Sequence, residues 1–210
     1  MTHEDDAVAK RDATGTLLKD NPSNYRTIFI ANTLLSFADG LYFPFLVAFF
    51  YRLGGIPLTG SGLGLILIFE SIGGYFAGRG ADKYGRKSLF LISSIVSIVV
   101  YISYPLLPLL EPPNLRFLVL LLILLVDGMA NGCWHTVEAV YLADITSETS
   151  RGKKVGVYLG AGGAISGVAM LGAGFLGMYI NFLTVALMVV FIYSSGFLIL
   201  LRIKEVADKK

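Results

Sequence analysis

Six long apolar runs, separated by short polar or turn-forming linkers, dominate this sequence: residues 27–50, 61–78, 88–110, 117–142, 155–178 and 180–201. A bilayer core of ~30 Å is crossed by roughly 20 apolar residues in a helix. Each run has that scale, and none has the strict alternation over about 10 residues that marks a membrane-spanning strand. The linkers carry the residues that end helices, such as Gly54-Gly55-Ile56-Pro57, Asp82-Lys83-Tyr84-Gly85 and Glu111-Pro112-Pro113-Asn114. Backbone groups inside a bilayer must pair with one another, and a helix does this within one segment. The expected fold class is therefore all-α: a polytopic membrane protein with six transmembrane helices. Composition agrees, with 55% hydrophobic and only 15% charged residues and a mean hydropathy of +0.69. A soluble domain carries about 25% charged residues. The deficit excludes a soluble enzyme, a nucleic-acid binder and a disordered chain.

The charges that remain are unevenly placed. Fifteen of the 17 basic residues fall in the N-terminal tail, the second and fourth connections and the C-terminal tail, and the other two are Arg52 and Arg116. Excess Lys and Arg mark the cytoplasmic side. Both termini are expected there, in the cell membrane, as an even number of spans requires. The expected organisation is a cytoplasmic tail over residues 1–24, a transmembrane domain over 25–201 and a second cytoplasmic tail over 202–210. The first tail lacks the apolar core of a signal peptide.

Acids behave differently. Asp39 lies in the first span, Glu70 in the second, and Asp127 and Glu138 in the fourth. A charge at the bilayer centre costs from ~3 to over 10 kcal/mol, so such residues face a polar cavity or a partner. Their segregation to three spans has the pattern of a lining. At about 100° per residue, Asp127, Asn131, Trp134 and Glu138 share one stripe of the fourth span, with His135 and Tyr141 at its margins. Spans three, five and six contain no ionisable side chain except tyrosine. His135 and Glu138 are one turn apart, which a divalent cation could use. Two ligands do not make a site, and no metal and no cofactor is expected. The single cysteine, Cys133, allows neither an internal disulfide nor a cysteine-based cluster.

Glycines concentrate in two spans. Gly156, Gly160, Gly163 and Gly167 recur in the fifth, and Gly73, Gly74 and Gly78 in the second. Small residues let helix backbones approach closely in lipid. The spacing fits ordinary packing within the bundle and fits a sliding interface equally well.

The second connection reads Gly78-Arg79-Gly80-Ala81-Asp82-Lys83-Tyr84-Gly85-Arg86-Lys87, in which Asp82 opens a tight turn that Gly85 can close. This segment resembles the signature loop of the major facilitator superfamily of secondary transporters. The run Asp144 to Gly152, with Arg151, is similar to the junction of helices four and five in that superfamily. Phe37-Ala38-Asp39-Gly40 through Leu46 is similar to the first helix of its proton-coupled multidrug exporters. The resemblance implies a six-helix half of a twelve-helix fold, with helices one, two, four and five lining a cavity and three and six outside. It implies that Arg86 pairs with Asp144, and that Asp82 meets the cytoplasmic start of a helix in the other half, when the transporter faces outward. Gly78, Gly85, Lys87 and Arg151 complete that gating region. This chain departs from many members in having no arginine within span four, no Gly-Pro pair in span five, and the length of one half.

Three functions compete on these grounds. The first is a proton-coupled secondary transporter that works by alternating access and is assembled from two copies, helix two packing on helix five of the partner. Asp39 and Asp127, nearest mid-membrane, would carry the reversible proton. Four acids and no internal Lys or Arg suit a cationic or neutral small molecule or ion better than an anion. The second is an isolated half, or a truncated piece of a longer chain, without transport. The third is an intramembrane serine protease using Ser166 and His135. Their order in the chain, and Ala164 where a glycine is expected, argue against it.

Overall fold

The computed structural model describes residues 21–204, without the side chain of Asp82. Of the expected tails, 1–24 and 202–210, residues 1–20 and 205–210 lie outside the described residues, and so does whatever the Asp82 side chain contacts. The described chain is helical: α1 (Pro22–Tyr84), α2 (Arg86–Leu106) with a short 3-10 extension (Leu107–Leu109), α3 (Pro113–Ile145), α4 (Glu148–Leu176) and α5 (Phe182–Leu200). All five are long and apolar enough to cross a membrane.

The first helix contains two of the six apolar runs. Its 63 residues would reach about 95 Å if straight, three times the bilayer core. It does not run straight. Gly54 (φ −158°, ψ 20°) and Gly55 (φ 67°, ψ −159°) leave helical geometry. The positive φ at Gly55 is one that glycine adopts without a Cβ penalty. In a continuous helix residues 50 and 62 would stand about 18 Å apart. Instead a Cβ placed on Gly62 would sit 3.2 Å from the Phe50 ring. α1 therefore doubles back into two arms, residues 22–53 and 56–84.

Caps explain the other boundaries. The Asn21 side chain accepts the Asn24 N–H at 3.1 Å ahead of Pro22, and that of Asn181 accepts the Thr184 N–H at 2.9 Å. Gly85, at φ 81°, separates α1 from α2. Helices α3 and α4 begin earlier than the apolar runs that mark them, because a helix continues into water after its apolar stretch ends. α1 likewise starts at Pro22, inside the stretch read as tail.

One end of the bundle is tied together by polar contacts. The Asn21 N–H donates to the Ile145 carbonyl at 3.0 Å. Asn24 exchanges two hydrogen bonds with the Lys204 backbone, at 3.0 and 3.3 Å. Tyr141 donates to the same Lys204 carbonyl at 3.2 Å, and Lys87 to that of Leu201 at 2.8 Å. The start of α1 and α2 and the end of α3 and α5 thus share one surface, and the described clusters of basic residues lie on it.

Backbone proximity differs sharply between the two glycine-rich regions. In the second arm of α1, a Cβ on Gly73 would come within 2.6 Å of Met129 Cα. One on Gly132 of α3 would overlap the Glu70 carbonyl. These glycines let the second arm cross α3 almost backbone to backbone. α4 packs on the first arm through its other face, with Tyr158, Gly162, Ala169 and Ala173 buried. A Cβ on Gly40 would overlap the Ser166 backbone there. Gly156, Gly160, Gly163 and Gly167 of α4 have open space where a Cβ would go. Gly73 and Gly74 of span two therefore serve contacts within the chain, whereas Gly156, Gly160, Gly163 and Gly167 of span five do not.

Candidate functional site

A cavity of about 440 Å³ lies between the two arms of α1, α2 and α3. Asp39 and Tyr42 face it from the first arm and Glu70 from the second. Tyr101 faces it from α2, and Asp127, Asn131 and His135 from α3. Apolar side chains such as Phe43, Leu46 and Ile66 fill the rest of the wall. On α3, positions 127, 131 and 135 recur at four-residue spacing and so share a face.

Three carboxylates are each met by a phenol from another helix. Asp39 Oδ1 accepts Tyr101 of α2 and Tyr193 of α5, both at 2.7 Å. Asp127, only 3% exposed, accepts the Tyr104 O–H on Oδ2 at 2.8 Å and the Asn131 amide on Oδ1 at 3.0 Å. Glu138, also buried, accepts the Tyr158 O–H of α4 on Oε1. A charged acceptor makes each of these bonds about twice as strong as a neutral one. Asp39 and Asp127 are thereby held by neutral donors, with no Lys or Arg beside them in the cavity wall.

Glu70, His135 and Glu138 form a second polar group on the open side of the cavity. Glu70 Oε1 lies 4.0 Å from His135 Nε2, and Glu138 Oε2 lies 3.6 Å from His135 Nδ1. The carboxylates address opposite nitrogens, so they bridge through the imidazole rather than converge on one point. Among the described residues, no three His, Cys, Asp or Glu side chains group as metal ligands. The His135 side chain is 62% exposed and that of Glu70 31%.

Two residues expected in the lining are elsewhere. Trp134 turns away from the cavity and meets Phe90 of α2 edge to face, with ring centroids 4.9 Å apart. Glu138 is not part of the cavity wall and reaches it only through His135. The stripe on α3 is rotated relative to the sequence expectation, so that His135 faces in and Trp134 faces α2. An amphipathic indole is satisfied against an aromatic neighbour, whereas the acids and the amide need the polar space.

The tyrosines are the part of the site that sequence reasoning left out. Tyr101 and Tyr104, one turn apart on α2, and Tyr193 on α5 belong to spans expected to stand outside the cavity. Their legible signal is the absence of other ionisable groups there: a phenol in an otherwise apolar span needs an acceptor when buried.

At the tied end, Arg86 Nε lies 2.7 Å from Asp144 Oδ2, with side chains 12% and 30% exposed. Arg151 donates from Nη2 to the Ala143 carbonyl at 2.7 Å and to that of Thr146 at 3.3 Å, capping the end of α3. Gly78 faces Thr136, with 3.8 Å left for a Cβ.

Among the described residues, helices of membrane-spanning length around a polar cavity walled in part by Asp39, Glu70 and Asp127 make the build of a multi-pass membrane protein. Residues 28–210 match the family model of the Major Facilitator Superfamily. The chain belongs to that superfamily and is a membrane transporter of the major facilitator type. None of the curated proteins matches it.

Proposed function

We propose that this chain is a proton-coupled secondary transporter that works by alternating access, moves a cationic or neutral small solute, and acts as a pair of chains. In this reading the Gly54–Gly55 break is an outer turn between two crossings, the chain crosses the membrane six times, and the tied end lies in the cytoplasm. The clustering of basic residues at that end supports the orientation.

One observation carries the assembly: ionisable groups are exposed on an apolar bundle. His135 and Glu70 are accessible at the open side of the cavity, where lipid contact would be costly. A second polar-walled half placed there covers them and turns an open cavity into a closed one. The unfilled glycine face of α4 offers such a half a close approach. The parallel repeats of this architecture are related by an axis along the membrane normal, which a homodimer can reproduce. The acids of the cavity, with no Lys or Arg in its wall, support a cationic or neutral solute and give protons a place to bind.

The test is uptake or efflux of a panel of organic and inorganic cations in proteoliposomes, with and without an imposed proton gradient. Transport of a panel member driven by the gradient is expected, with loss in Asp39→Asn or Asp127→Asn. Gradient-driven transport that survives both substitutions removes these residues as proton carriers. Transport indifferent to the gradient removes the coupling.

A further inference from the structure

Three oxygens at the edge of the cavity form a closed triangle. Asp39 Oδ1 lies 2.7 Å from the Tyr101 phenol oxygen and 2.7 Å from that of Tyr193. The two phenol oxygens lie 3.1 Å from each other. Both tyrosines are buried, their rings packed edge to face at 4.9 Å. Tyr42 donates to the Tyr101 carbonyl at 2.9 Å, which fixes α2 against the first arm of α1.

The triangle has three contacts and two phenolic protons, since each tyrosine supplies one O–H. When Asp39 is ionised, both phenols donate to Oδ1 and the phenol–phenol contact holds no proton. A third proton on Oδ1 fills the set. The carboxyl O–H then donates to one phenol, that phenol donates to the other, and the second donates back to Oδ1. Every contact carries one proton, and no heavy atom has to move. The proton comes from hydronium in the cavity that Asp39 lines; one O–H bond of hydronium breaks and leaves water, one carboxyl O–H bond forms, and the side chain goes from anion to neutral acid.

We propose that Asp39, Tyr101 and Tyr193 together form the proton-binding site of this transporter, with Tyr101 and Tyr193 as positioning residues that accept the Asp39 proton into a closed ring. The inference rests on the proton-coupled reading above. It also brings α2 and α5 into the site from spans that carry no acid. The charges that act on Asp39 from α3 are Asp127 and His135 across the cavity and Glu138 behind His135, and Glu70 faces the same cavity from the second arm of α1. They set the field around the ring and do not touch it. Asp127 differs in kind: each of its oxygens accepts one donor, and its phenol and amide partners lie on opposite oxygens.

The experiment is pH-difference infrared spectroscopy of the whole chain in lipid vesicles, in H2O and D2O. It compares the parent with Asp39→Asn, Asp127→Asn, Tyr101→Phe and Tyr193→Phe. A protonated-carboxyl C=O band should form on acidification and be lost in Asp39→Asn. It should shift in each phenylalanine variant, because the carboxyl hydroxyl loses one ring partner. Phenylalanine keeps the ring's bulk, and the two variants remove different vertices, so misfolding of one leaves the other informative. A band that stays in place in either correctly folded variant overturns the ring. So does a band lost only in Asp127→Asn. Absence of any titrating carboxyl overturns both the ring and proton coupling. A ring that binds its proton in a chain whose transport ignores the gradient overturns the coupling and leaves the ring standing.

Discussion

Replacing Gly132 with alanine adds one methyl group where α3 crosses the second arm of α1 backbone to backbone. The new Cβ would overlap the Glu70 carbonyl oxygen and stand 2.7 Å from the Gly74 nitrogen and 2.8 Å from the Glu70 carbonyl carbon. Carbon contacts are comfortable at about 3.5–4.0 Å, so the second arm of α1 must move away from α3 by close to an ångström. The obstacle is backbone on both sides, and no side chain can swing aside. Overpacking of this kind costs ~1–3 kcal/mol, and a backbone clash belongs at the top of that range. Alanine recovers about 1 kcal/mol through helix propensity. The net loss is about 2 kcal/mol, roughly a 30-fold shift of the unfolding equilibrium. Gly64, on the same arm of α1, has nothing within 4 Å of its Cβ position. Gly64→Ala should therefore gain up to ~1 kcal/mol, with the opposite sign. Unfolding in mixed detergent micelles can be followed by the single tryptophan, Trp134, which sits two residues from Gly132 against Phe90. A Gly132→Ala chain as stable as its parent, or a Gly64→Ala chain equally destabilised, would refute the crossing as described.

Two further outcomes follow from contacts at the tied end and from the exposed glycine face. Arg86→Ala and Asp144→Ala should each slow transport, and exchanging the two charges should restore part of the loss. The pair is mostly shielded, so its coupling in a double-mutant cycle should exceed the ~0–1 kcal/mol of an exposed pair. Two single variants with normal transport would take the pair out of the mechanism. In a chain with Cys133 replaced, cysteines at Gly78 and Gly156 on separately tagged copies should form an interchain disulfide, and a bulky residue at Gly160 should weaken assembly and transport together. Disulfides formed only within one chain, or a single chain that transports at full rate, would sink the paired assembly.

Much of this architecture is written in one dimension. The lengths of the apolar runs settle that the chain is a bundle of membrane-length helices, because the bilayer admits little else. The loop from Gly78 to Lys87 points to the superfamily before any coordinate is known. The acids Asp39, Glu70 and Asp127 are legible as a lining, since a buried charge must have somewhere polar to go. Gly54-Gly55 is legible as an interruption, and the structure turns it into a fold-back within one 63-residue helix.

Other features wait on tertiary structure. Helical periodicity places Trp134 and His135 on neighbouring parts of one stripe, but only the position of Phe90 decides which of them faces the cavity. Glycine spacing looks alike in spans two and five. It takes the path of α3 to show that Gly73 and Gly132 meet backbone and that Gly160 meets nothing. The phenols of Tyr101 and Tyr193 read as bulk in two apolar spans 92 residues apart. They become part of a polar site because three helices bring their oxygens onto one carboxylate oxygen. Burial and span length depend on the sum of residues along a segment, which sequence contains. A hydrogen bond between helices depends on the distance and angle between particular atoms, which only the packed bundle sets.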